Sequence, residues 1–124
     1  MNKRRVDALI PEAYGVLQEV GIAKEGKVDK AWKGQIASFG AAIATGSLLA
    51  AVSFFSTQEQ AKLPRERLMK AIFRLIKDQN QATNLFEYVL QCNNDTDSKR
   101  RMIKENIVNS AIALKLAMNL YEPE

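Results

Sequence analysis

Histidine is absent from the chain. General acid–base work at neutral pH and most metal ligation lean on imidazole, so both would fall to carboxylates, lysines or one thiol. Ser/His/Asp and Cys/His constellations are excluded outright. Cys92 is the only cysteine, which excludes an intrachain disulfide and a cysteine-based zinc site and fits a reducing compartment. It closes an apolar segment with no basic neighbour in sequence to lower its pKa, so it reads as a buried, inert thiol. Gly40 and Gly46 lack the downstream lysine and the preceding strand of a phosphate loop. The carboxylate pairs Glu12/Glu19 and Asp95/Asp97 do not fall on an apolar-lined face. The expectation is a protein that is not an enzyme and takes no cofactor and no metal.

A calcium loop is tempting at Asn93-Asn94-Asp95-Thr96-Asp97, but starting it at Asn93 puts Ser98 where glycine is required and Lys104 where a bidentate glutamate belongs. Asp97 is better placed as the N-cap of a closing helix. The N-terminal MNKRRVDALI carries no apolar core of signal-peptide length before Pro11. A cytoplasmic protein is expected.

What is present is apolar material with helical spacing. The chain has 124 residues, 47% hydrophobic and 26% charged, with a net charge of +4. That is enough for one compact core, and the modest positive charge does not by itself identify a partner. From Gly34 to Gln58 there is no charge. Trp32, Ile36, Phe39 and Ile43 follow one helical face, and Leu48, Val52 and Phe55 resume it after Gly46, which predicts two helices meeting there as the central pair. Ala37, Gly40, Ala41, Ala42 and Ala44 would let a neighbouring backbone approach closely. The run has the length of a membrane span, but serines, threonine and glycines interrupt it and no aromatic belt or Lys/Arg asymmetry frames it, so no membrane partner is expected.

The remaining segments are helical too. Val6, Leu9, Ile10, Ala13, Leu17 and Val20 form a stripe from about Asn2 to Val20, weakened by Pro11 and Gly15 into a kinked helix. Lys3, Arg4 and Arg5 oppose the macrodipole at its start and read as a solvated terminus or a phosphate-touching arm. Gly21 and Lys24-Glu25-Gly26-Lys27 make a connector, with Asp29 capping the Trp32 helix. Thr57-Gln58-Glu59-Gln60 has the form of a capping box before a helix from Pro64 to about Asp78. Asn84 with Glu87 caps a short helix from Leu85 to Leu90. The last helix, Ser98 to about Tyr121, is apolar nearly all round in its second half, so it is central or shared with a partner. No strand pattern stands out. The fold class is all-α, a single compact domain of about six helices over residues 1–124.

The clearest basic feature lies on the Pro64 helix. Leu68, Met69, Ile72, Phe73, Leu75 and Ile76 occupy one half of the wheel, and Arg67, Lys70, Arg74 and Lys77 share a stripe on the other. Spacings of three and four put their Cβ atoms roughly 5–6 Å apart, and no acidic residue of that helix joins the stripe. Such a row can follow a phosphate backbone; it is equally what a solvated amphipathic face carries. Arg101, Lys104 and Lys115 form a looser strip on the last helix, where Lys115 can snorkel among apolar neighbours.

The run Trp32-Lys33-Gly34-Gln35-Ile36-Ala37-Ser38-Phe39-Gly40, the run Gly46 to Phe55, Arg67-Leu68-Met69-Lys70-Ala71-Ile72, Leu85 to Leu90 and Ala111 to Ala117 occur in an order that resembles the small subunit of the Cmr complex, the type III-B CRISPR RNA-guided effector. The resemblance spans nearly the whole chain through packing patterns rather than catalytic signatures. It implies a non-catalytic helical subunit for antiviral defence that stacks head to tail with copies of itself, beside the backbone and large subunits and along the guide RNA, and that lines the target-RNA path with basic residues. Lys33 and Lys115 lie inside matched stretches, as do Arg67 and Lys70; Arg74 and Lys77 join them by the helical wheel. The alternative reading is a helical protein–protein adaptor without nucleic-acid contact, using the last helix as its interface.

Overall fold

The computed structural model describes residues 2–57, 64–77, 81–93 and 95–123. The Asn2 side chain accepts the Arg5 N–H at 3.2 Å and starts α1, Lys3–Glu19. The helix continues through Pro11 and buries Val6, Ala13, Val16 and Leu17. It stops in a Schellman arrangement. Gly21 takes φ +81°, its N–H donates to Gln18 O, and Ile22 N–H reaches back to Leu17 O at 3.0 Å. Buried Leu17 and Ile22 supply the apolar contact that goes with such a cap.

The connector that follows is a hairpin. β1 (Ala23–Lys24) and β2 (Lys27–Val28) are antiparallel, and Glu25 and Gly26 both take positive φ, 53° and 77°, as a two-residue type I′ turn demands. A third two-residue strand, β3 (Glu122–Pro123), pairs parallel to β2 and ties the C-terminal end to the hairpin. These strands correct the strandless expectation. Two residues are too few for a period to be visible, and the third strand comes from the far end of the chain.

Asp29 Oδ1 accepts the Ala31 N–H at 3.0 Å and opens α2, Lys30–Thr45, which buries the expected Trp32, Ile36, Phe39 and Ile43. Gly46 ends it, and Ser47 caps α3, Leu48–Ser56, through the Ala50 N–H. The two-helix reading with its break at Gly46 holds. Of the small residues, Ala42 packs partly buried against the core, while Ala37, Gly40, Ala41 and Ala44 face outward, and a Cβ on Gly40 would meet nothing within 4 Å, so no described segment of the chain itself approaches closely there.

α4 spans Glu66–Leu75, shorter than Pro64 to Asp78; Arg65 is its N-cap residue and Ile76 turns extended at ψ 122°. The proposed capping box at Gln58–Gln60 and the Asp78 end lie outside the described residues. α5, Leu85–Cys92, is capped as expected by Asn84, whose Oδ1 accepts the Glu87 N–H at 2.8 Å. α6, Asp97–Met118, is capped by Thr96 rather than Asp97. Asp97 takes the first helical position instead, where a carboxylate favours the dipole, and it pairs with Arg100.

The most extensive helix pairing is α1 on α6, with α4 against both. The centre of the fold is therefore α6, which buries Ile103, Ile107, Ala113, Leu114 and Met118, and the α2–α3 pair is a flank laid over it. The expectation that the Trp32 to Ser56 stretch is the organising pair is corrected: half of α2 is small residues with too little area to bury. Tyr121, just past α6, stacks on Tyr14 at 4.3 Å and donates its hydroxyl to the Tyr14 carbonyl at 2.6 Å, closing the chain's end onto α1. The result is an all-α single domain, with six helices and a very small three-stranded sheet among the described residues. Among the described residues no helix is long and apolar enough to cross a membrane.

Candidate nucleic-acid interface

α4 lies against α1 on one side and buries Leu68, Met69, Ala71, Ile72 and Leu75 inward, so its 67/70/74 face emerges beside the C-terminal end of α1. Each cation there has a distinct setting. Arg67 is half-buried, and its Nη1 donates to the Gly21 carbonyl at 3.1 Å. Arg74 pairs with Glu19 of α1, both side chains about half exposed at 52% and 55%. Lys70 is exposed and makes no ion pair among the described residues. Lys77 sits beyond the end of α4 and holds both carboxylate oxygens of Glu12, at 2.5 and 2.9 Å.

The expectation of an acid-free stripe is corrected: Glu66, one turn before Lys70 on α4 itself, lines the same face, and two more acids come from another helix. Glu12 and Glu19, seven residues apart on α1, meet Lys77 and Arg74, also on the pairing of two antiparallel runs. Exposed pairs of this kind contribute only about 0–1 kcal/mol each, so their cations can be drawn away by a more highly charged anion.

An open groove of about 460 Å³ gathers Arg67, Lys70 and Arg74 with Lys24 from the hairpin, against the carboxylates of Glu19 and Glu66. It brings together three of the six expected positions and adds Lys24, which no periodicity on α4 could have pointed to. Lys77 is elsewhere, in a groove of about 440 Å³ with Arg5 and Asn109 between α1, α4 and α6. Lys115 lines a third groove, about 310 Å³, beside Ile36 and Ala37 of α2. Lys33 is half-buried on α2, one turn before Ala37. The six positions therefore occupy separate surfaces rather than one track.

Further basic side chains cluster without having been assigned a role. Arg100, Arg101 and Lys104 surround a groove of about 310 Å³ at the start of α3, with buried Cys92 in its wall. Arg65 lies over Phe54 at 4.8 Å and near Phe55 at 5.4 Å, a cation–π contact that hides part of an exposed aromatic. Among the described residues no group of three Cys, Asp or Glu side chains could hold a metal ion.

Burial, with Tyr14 beside it, raises the pKa of Tyr121 above the usual 10.0. It belongs to the α1–α6 closure and not to the basic groove. Compared with known proteins, the chain matches no family model, no curated protein and no solved structure.

Proposed function

We propose that this chain is a non-catalytic structural subunit of an RNA-guided effector of the type III-B CRISPR kind. In this reading it works in the cytoplasm in antiviral defence. It stacks with copies of itself beside the backbone and large subunits and lines the target-RNA path. The observation that carries the reading is the open groove holding Lys24, Arg67, Lys70 and Arg74. Four cations against two carboxylates, with Lys70 exposed and Arg74 in a pair that water already weakens, favour a phosphate backbone over a neutral ligand. The resemblance carried by the Trp32 to Gly40, Gly46 to Phe55 and Ala111 to Ala117 stretches supports the same reading.

The adaptor reading draws on a different observation. Ala37, Gly40, Ala41 and Ala44 leave a smooth outward face on α2, and Leu116 and Leu120 of the α6 end are 41% and 62% exposed. In a stacked subunit both features coexist; in an adaptor the cations are only solvated.

Affinity purification of the tagged chain from its native cells at moderate salt, followed by sequencing of bound RNA, separates the two. Short repeat-derived RNAs with a fixed set of larger proteins are expected. Proteins without RNA would leave the adaptor.

A further inference from the structure

On the other side of Lys70 and Arg74 lies a second, larger groove of about 550 Å³, within the size range of small-molecule sites. Its floor is Met69, Phe73, Leu85 and Phe86. Phe73 and Phe86 are both partly exposed, and Phe73 is held edge-on by Tyr88 at 6.5 Å. Lys70 and Arg74 line this groove as well as the polar one, together with Glu66. A ridge of cations thus has a polar trough on one side and an aromatic-floored trough on the other.

We propose that the Phe73/Phe86 groove takes the base of a ribonucleotide whose phosphate rests on Lys70 and Arg74. The proposal rests on the RNA reading of the basic groove and adds to it a base-stacking half. A phosphate alone would use the polar side and leave the apolar floor wet. A nucleotide fits both halves, because its charge and its flat apolar face are joined at about one sugar's width, and aromatic rings accept any base by stacking.

The groove's polar edge shows what kind of recognition to expect. Thr83 donates its hydroxyl to the Glu87 carboxylate, and Asn84 Oδ1 accepts the Glu87 N–H. Thr83 Oγ1 and Asn84 Oδ1 are committed to the start of α5, so what the groove mainly offers a base is a stacking surface. Purines and pyrimidines would both enter, purines more tightly because they cover more of the two rings.

The test is an amide NMR titration of the full chain with adenosine 5′-monophosphate and, separately, with ribose 5-phosphate, which has the phosphate without the base. Both are expected to shift the amides of Lys70 and Arg74. Only the adenylate is expected to shift Phe73, Leu85 and Phe86, with at least fivefold higher affinity. Phe86→Leu, which keeps apolar volume and removes the ring, should collapse that preference. Identical shift patterns and affinities for the two ligands would overturn the base groove and leave the phosphate reading standing. No shift at Lys70 or Arg74 with either ligand would remove both.

Discussion

The guanidinium of Arg67 donates to the carbonyl of Gly21, binding α4 to the cap of α1 at 3.1 Å. An arginine from the basic stripe is therefore also a structural clamp. The clamp depends on the left-handed cap, since a Cβ on Gly21 would sit 3.1 Å from Arg67 Nη1 in a conformation side chains rarely adopt.

Arg67→Ala should lower stability by about 1.5–3 kcal/mol, the range for a hydrogen bond to a charged group, and Gly21→Ala by about 1–2 kcal/mol from left-handed backbone strain. Urea unfolding reads both. A loss under 0.5 kcal/mol for Arg67→Ala would mean that the clamp is not used. Arg67 is for this reason a poor choice for probing RNA contacts alone.

The carboxylates of Glu12 and Glu19 compete with any phosphate for Lys77 and Arg74. Replacing both by glutamine should change stability by no more than about 1 kcal/mol, because the pairs are solvent-exposed. It should also tighten binding of a single-stranded ribo-oligomer and steepen the slope of log K against log salt by up to about 1.4, at roughly 0.7 per phosphate contact. Unchanged affinity would show that these two cations do not face the strand.

Substituting Lys24, Lys70 and Arg74 with serine should flatten that salt slope by about 2 for the same reason and leave assembly with protein partners intact. Filter binding at several salt concentrations, with co-purification as the control, measures both. An unchanged slope would favour the adaptor.

Tyr121 makes stability sensitive to alkali. Its folded pKa lies above its unfolded value, so the stabilisation is fully present below pH 10.0 and is lost as pH rises through the folded value. Tyr121→Phe removes this dependence, at a cost of about 0.5–1.5 kcal/mol at neutral pH for the lost bond to the Tyr14 carbonyl. Thermal melts from pH 7 to 11 on both proteins test it; equal alkaline losses would assign the effect to other groups.

Gly40→Ala should stabilise the isolated chain by about 0.8–1 kcal/mol, the difference in helix propensity, because nothing lies within 4 Å of the new methyl. If a partner backbone packs on that face in the assembly, the same substitution weakens assembly while stabilising the free chain. A destabilised free chain would show that the α2 face is not open.

Most of the helical framework was legible from local chemistry. Trp32, Ile36, Phe39 and Ile43 lie on the buried face of α2, Asp29 and Asn84 cap where their side chains reach the next free N–H groups, and Gly46 separates α2 from α3. Such features depend on residues three or four apart, and that range is written in the chain. The α6 cap was misplaced by one residue, because Thr96 and Asp97 are both good caps and backbone geometry decides between them.

What only the tertiary structure decided depends on residues far apart in sequence. The stripe on α4 could be read as a row of cations, but not that Glu12 and Glu19 of α1 would answer two of them, that Lys24 would join the groove, or that Lys77 would fall past the helix end. Helical periodicity reports which side of a segment avoids water, and it is silent on which other segment supplies the covering or the counter-charge. For the same reason the uncharged stretch looked central by its composition, while the centre went to α6, whose Ile107, Leu114 and Met118 offer larger side chains to bury than the alanines and glycines of α2.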